Sequence, residues 1–151
     1  MKVSTRGRYG LRAMVDIASQ EKGKCVTLKS IAERQSISEN YLEQIIAVLK
    51  GAGLVTSVRG ASGGYSLNCN PEEVSVRSIV ELLEGSLYPV ECLSDEESEA
   101  CGTGSCQNCV TKPVWEKIYK SVNDVLDGIT LNDLVNDYKE RAVAYAAENI
   151  S

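Results

Sequence analysis

The chain has 151 residues, about one domain's worth, and 43% of them are apolar, enough for one real core and too little for a large multidomain enzyme. It holds neither histidine nor phenylalanine, which removes Ser-His-Asp and Cys-His catalysis and every histidine-containing metal site. The net charge of −5 is unevenly divided: residues 1–68 carry 10 Lys and Arg against 5 Asp and Glu, whereas residues 69–151 carry 6 against 16, so a head suited to a polyanion precedes an acidic body.

Residues 9–21 place Leu11, Met14, Val15 and Ala18 at helical spacing, with Arg12, Asp16 and Gln20 elsewhere on the wheel, which predicts a first amphipathic helix ended with help from Gly23. No apolar run approaches the ~18 residues of a membrane span, and Arg12 and Asp16 interrupt this stretch too early for a signal peptide. The expectation is a cytoplasmic protein with no membrane partner. Thr27 is placed to cap a short helix through Ile31 and Arg34; after the turn Gln35-Ser36-Ile37, Ser38 caps a second. In that second helix Leu42, Ile45, Ile46 and Leu49 form an inward stripe, leaving Asn40, Glu43, Ala47 and Lys50 on a small, polar outer face. Gly51 and Gly53 close it. Residues 54–58 and 65–67 then read as a β-hairpin whose tip, Arg59 to Gly64, is rich in glycine.

Helix, short turn, helix and glycine-tipped hairpin together describe a winged helix-turn-helix. The second helix fits a DNA major groove, where Glu43 can accept from cytosine N4, Gln44 or Asn40 can pair with adenine, and Ser38 can reach a phosphate. On a lone helix Glu43 would read as an ordinary solvated residue. Arg59 suits a minor groove, with Gly60 letting the backbone approach phosphates, and Arg6, Arg8 and Arg12 can add backbone contacts. No Gly-Lys-Ser/Thr sequence is present, so the glycines do not make a nucleotide P-loop.

Beyond Pro71, the positions Val76, Ile79, Val80 and Leu83 repeat a helical stripe that stops at Gly85. Residues 86–110 lose all periodicity and hold an acidic run with Cys92, Cys101, Cys106 and Cys109. In a reducing compartment such thiols point to metal ligation or redox chemistry rather than to a disulfide framework. The last three repeat the C-x4-C-x2-C spacing of plant-type ferredoxins, with the fourth cysteine upstream instead of downstream. Neighbouring carboxylates disfavour bare thiolates, so the set suits thiolates neutralised by an iron-sulfur cluster or, equally well by geometry, by tetrahedral zinc; disulfides or free thiols are the third alternative. A thiol oxidoreductase built on Cys106 and Cys109 would need a βαβ setting that this chain lacks. Cys25 and Cys69, outside the segment, read as small core residues. Thr111 and Pro113 then open a helix of about 15 residues, near 22 Å long, carrying Trp115, Ile118, Val122, Val125 and Ile129 down one face as far as Gly128. Thr130 with Asp133 resembles a capping box for a last helix through Tyr138 and towards Tyr145.

The stretches SENYLEQ (Ser38 to Gln44), VRGASGGY (Val58 to Tyr65), and Val114-Trp115 followed by DVLDGITL (Asp124 to Leu131) resemble the iron-sulfur cluster regulator family of bacterial transcription factors, the IscR-, NsrR-, RirA- and CymR-like proteins. The resemblance covers almost the whole chain. It implies a mainly α fold with a small β-hairpin wing: a winged helix-turn-helix DNA-binding domain over 1–85, a cysteine-rich sensor loop over 86–110, and a dimerisation helix with a C-terminal helix over 111–151. It also implies a homodimer on a double-stranded DNA operator, with no enzymatic activity. Glu43 falls on the base-reading position, Arg59 on the wing arginine, and Cys92, Cys101 and Cys109 on three cluster ligands. IscR-type members carry a histidine three residues after the last cysteine, where this chain has Lys112. Cys106 is the candidate to complete an all-cysteine set. CymR-type relatives lack the cluster and act through a partner protein, which makes a cluster-free regulator, zinc-bound or thiol-switched, the competing expectation.

Overall fold

A computed structural model describes residues 2–94 and 108–150, and its first helix, α1 (Thr5–Ala18), opens on Ser4, whose Oγ accepts from the Gly7 amide at 3.2 Å. This helix begins four residues before the expected start and stops three before the expected end. Its buried face is also one position round from the expected stripe: Gly7, Gly10, Ala13, Met14 and Ile17 face inward, whereas Leu11, Val15 and Ala18 lie along the edge of the core. Small residues carry little hydropathy signal, yet they permit the closest helix approach. A Cβ on Gly10 would lie 2.2 Å from Leu83 Cδ1 of the fourth helix. The carboxylate of Glu84, one residue on, accepts from the Ser4 and Gly7 amides at 3.1 and 3.0 Å and occupies the α1 N-terminus.

α2 (Leu28–Gln35) and α3 (Glu39–Gly51) carry the expected caps, Thr27 and Ser38, and the whole expected stripe of Leu42, Ile45, Ile46 and Leu49 is buried. Ser36 turns the chain between them in the left-handed conformation, φ 54° and ψ 48°. The hairpin β1 (Val55–Val58) and β2 (Gly64–Leu67) is antiparallel with Val55 opposite Leu67 and Val58 opposite Gly64. Val26 joins its edge by exchanging two backbone hydrogen bonds with Tyr65, at 2.8 and 2.7 Å. The chain runs so close here that a Cβ on Gly64, at φ +147°, would lie 2.4 Å from the Val26 carbonyl oxygen.

α4 (Val76–Glu84) buries the stripe expected of it, and a short 3-10 turn (Glu91–Leu93) interrupts what the sequence reads as irregular chain. α5 (Lys112–Asp127) and α6 (Leu131–Glu148) follow, the latter opened by a complete Thr130–Asp133 capping box. Thr111 departs from expectation: its backbone is helical and its side chain makes no cap bond to α5. Two backbone hydrogen bonds, Val76 N to Ile129 O and Leu131 N to Val74 O, each 2.8 Å, stitch the start of α4 to the α5–α6 junction. Leu131 thereby enters the core formed by α1 to α4, while Tyr119, Leu126, Ile129 and Leu134 cover a second cluster around Val76, Val80 and Leu87. The described residues thus form six α-helices and a two-stranded wing, mainly α as expected. No helix among them is long and apolar enough to cross a membrane.

Candidate functional site

On α3, Asn40, Glu43, Gln44 and Ala47 are all exposed, because the opposite stripe is consumed by the core. Ser38 is exposed too, but its Oγ already accepts from the Tyr41 amide at 3.4 Å, which leaves its hydroxyl hydrogen for an outside acceptor. Lys50, at the far end of α3, donates to Ser57 Oγ at 2.7 Å and ties the helix to the first strand of the wing. Arg59 and Gly60 are exposed at the hairpin tip, where Gly60 adopts φ +113°. A Cβ on Gly63 would lie 2.2 Å from the Val58 carbonyl oxygen, so this tip closes only around glycine.

Arg6 and Arg8 are exposed on α1, and the Arg8 guanidinium lies 5.7 Å from the centre of the Tyr9 ring. Arg12 is exposed as well, and its Nε and a terminal nitrogen donate to Gln35 Oε1 and Gln35 O at 3.0 and 2.9 Å. Behind this pair is a feature that hydropathy reading misses. Asp16, placed by periodicity on the polar side of α1, is 1% exposed and receives two hydrogen bonds from Arg34, at 3.0 and 2.6 Å, and one from Gln35, at 2.8 Å. Bonding to this carboxylate raises the already high pKa of Arg34. The usable signal was a basic residue, Arg34, and a glutamine ending α2 opposite the lone acid of α1.

Of the four clustered cysteines, Cys101 and Cys106 lie outside the described residues. Cys92 is buried within the 3-10 turn, which packs against α5, and Cys109 is half-buried three residues before α5, its Sγ 3.2 Å from Thr111 Oγ1. The contact explains why Thr111 is not a helix cap. Tyr88 stacks on Tyr119 of α5 with ring centres 4.6 Å apart, so the segment leading to Cys92 follows α5 as well. Among the described residues no three His, Cys, Asp or Glu side chains are grouped to hold a metal ion. The donors that the sequence offers are thiols, two of them described and both beside α5. Cys25 and Cys69 are half-buried rather than core, and burial pushes the Cys69 thiol up.

α5 divides its surface. Tyr119, Asn123 and Leu126 face its own chain, and Asn123 is buried with no hydrogen-bond partner for Oδ1 among the described residues. Arg77 of α4, paired with Glu81 of its own helix at 3.0 Å, fastens this side through Asp127 of α5 at 2.9 Å. On the other side Val114, Ile118 and Val125 are exposed, with Trp115 and Val122 half-buried. Ile129, expected on the same stripe, instead belongs to the cluster under α4.

Residues 3–137 match the family described as Rrf2, iron-dependent transcriptional regulator. The chain is 42% identical over 136 residues to the HTH-type transcriptional regulator CymR of Bacillus subtilis, covering 90% of this chain and 91% of that one. The solved structure of CymR, described as the global cysteine regulator of B. subtilis, superposes with a TM-score of 0.73 at 40% identity over 90% of this chain and 97% of that one. The HTH-type transcriptional regulator IscR of Aliivibrio salmonicida is 37% identical over 95% of this chain and 83% of its own. The structure of T. potens IscR matches with a TM-score of 0.74 and 49% identity, covering 93% of this chain and 90% of that one. With the winged head, the long α5 and the family match in agreement, the chain belongs to the Rrf2 family of DNA-binding transcriptional regulators, which are not enzymes.

Proposed function

We propose that the protein is a homodimeric regulator that reads an operator with α3 and the wing, and whose operator affinity is set by an iron-sulfur cluster held by Cys92, Cys101, Cys106 and Cys109. The observation that carries the reading half is the exposed row Asn40, Glu43, Gln44 and Ala47, a set of short polar and small side chains on a helix anchored by its entire apolar face. Ser38, Arg59, Gly60, Arg6 and Arg8 supply the phosphate and minor-groove contacts. The exposed α5 side chains Val114, Ile118 and Val125 pair with those of a second copy, which sets two heads on half-sites about 34–36 Å apart.

The donor chemistry fits a cluster: the chain has no histidine, and Cys92, in a turn packed on α5, and Cys109, three residues before α5, bracket the cysteine segment. A bound cluster supplies a group whose potential and integrity register redox conditions. The residues of this chain would transmit its presence through the 3-10 turn of Cys92, which packs on α5, the helix proposed to pair the two heads. The second reading, a cluster-free regulator that holds zinc or switches thiols, is favoured by Lys112 at the histidine position and by the 42% identity to CymR.

Protein purified without oxygen separates the two readings. Visible absorption with stoichiometric iron and sulfide is expected; colourless protein holding zinc, or no metal, sinks the cluster. If iron is present, Cys106→Ser should change its spectrum, and an unchanged spectrum moves the fourth ligand elsewhere. For the head, binding to a panel of operators with single-base changes is the test. Arg59→Ala should weaken most sites and flatten the salt dependence, whereas Glu43→Ala should keep or gain affinity for mismatched sites and lose preference. A uniform loss for Glu43→Ala would make it a solvated bystander.

A further inference from the structure

We infer that the buried Asp16 carboxylate, acting through Arg34 and Gln35, positions the reading helix, so that this cluster determines which sequences the protein prefers. The inference rests on α3 being the helix that reads bases. Asp16 and Arg12 lie one turn apart on α1, and between them they hold both ends of one side-chain amide: Gln35 Nε2 donates to Asp16 at 2.8 Å, and Gln35 Oε1 accepts from Arg12 at 3.0 Å. Arg12 also donates to the Gln35 backbone carbonyl at 2.9 Å, so the last residue of α2 is fixed in position and in rotation. Arg34, the residue before it, is fixed to the same carboxylate through two hydrogen bonds.

Little chain remains in which an error could be absorbed. Ser36 follows in the left-handed conformation, the Ile37 amide donates back to the Ala32 carbonyl at 3.0 Å, and Ser38 is already the cap of α3. A second tether acts on the first turn of α3, where Tyr41 meets Tyr9 of α1 edge-on with ring centres 6.1 Å apart. Arg8 and Arg12 both lie over that Tyr9 ring, at 5.7 and 5.6 Å. The pose of α3 against α1 is therefore defined by directional bonds, whereas the apolar stripe beneath it specifies contact but tolerates small sliding. Only the Asp16 end of the ion pair is buried, the Arg34 side chain being 40% exposed, and such a pair adds little net stability over apolar packing; what it adds here is geometry. Base-edge hydrogen bonds are lost within a fraction of an ångström to an ångström of misplacement, which makes that geometry a determinant of preference.

Gln35→Met in the full chain removes both amide bonds and keeps the side-chain length. Three readouts separate positioning from simple support: the affinity ratio of operator to unrelated DNA at fixed salt, hydrogen exchange of the amides of residues 36–42, and the thermal midpoint. Expected are faster exchange in 36–42, an operator-to-unrelated ratio at least tenfold lower, and non-specific binding and salt dependence as in the parent. A lowered midpoint with the ratio within twofold of the parent overturns the inference, and so does unchanged exchange. If Glu43→Ala redistributes preferences in the same panel while Gln35→Met does not, the positioning role fails and α3 remains the reader; if neither does, the reading of α3 fails and the inference with it. Should Gln35→Met not fold, Arg12→Met releases the outer half of the cluster from an exposed position and is judged by the same ratio, an unaltered salt slope excluding a lost phosphate contact.

Discussion

The head and the C-terminal arm solve the burial problem differently. In α1 to α3, Ala13, Met14, Ile31, Leu42, Ile45 and Leu49 are completely covered by their own chain, so the reader is finished as a folded object. In α5 and α6 the apolar residues Val114, Ile118, Val125, Val143 and Tyr145 remain exposed, and from Asn136 onward every described residue of α6 is exposed. A helix apolar on both sides is a helix with a neighbour on both sides. In the proposed homodimer a second copy would cover the exposed side of α5, whereas the head needs only its own chain, Leu131 of α6 included.

Mutations test that division most strongly in the head. Ile45→Ala should cost about 2–5 kcal/mol in denaturant unfolding, irrespective of protein concentration. Gly10→Ala, which pushes a methyl against Leu83, should cost about 1–3 kcal/mol by the same measurement; a neutral result would mean that α1 and α4 are free to part. Val125→Asp should leave the circular dichroism of dilute protein unchanged yet weaken self-association at least tenfold, equivalent to about 1.4 kcal/mol, in sedimentation across a concentration series. A stable monomer before any mutation would break the comparison outright. The smallest effect concerns α6 itself. The Thr130 amide and hydroxyl hold the Asp133 carboxyl below the usual range. Its contribution is therefore present above the ordinary carboxylate value of about 4 and is lost as pH falls through the lowered one. Amide shifts of the first turn of α6 should record this acid step, and Asp133→Asn should abolish it.

Much of this arrangement is legible in the sequence, for identifiable reasons. Caps at Thr27, Ser38 and Thr130 and the stripes of α3 and α4 are local signals, and each appears where expected. The start of α1 was missed because Ser4 and the two glycines after it owe their place to α4, some eighty residues later. Asp16 was misassigned because periodicity ranks a carboxylate as outward, and only the distant Arg34 and Gln35 make it an inward one. Ile129 shows the same limit from the other side: its spacing fits the free face of α5, but the helix has ended and the chain has already turned beneath α4. The α3 face was legible because it is what remains after a strong stripe is subtracted. The cysteine group rests on spacing in the sequence, since Cys101 and Cys106 fall outside the described residues.

The stitch between the start of α4 and the α5–α6 junction has a topological consequence. Val76 bonds to Ile129 and Leu131 to Val74 through their backbones, and Leu131 completes a core whose other walls come from residues before Gly85. The start of α4 and the end of α5 thus meet at one closed base, so the described chain on both sides of the cysteine segment shares the hydrophobic core. A backbone cut between Ser94 and Asn108 would leave Leu131 on one piece and the other walls of its core on the other, and because both pieces share that core they would be expected to stay together as a split protein. On the proposed function the cut would fall in the sensor segment and leave α3 and the wing together on the N-terminal piece.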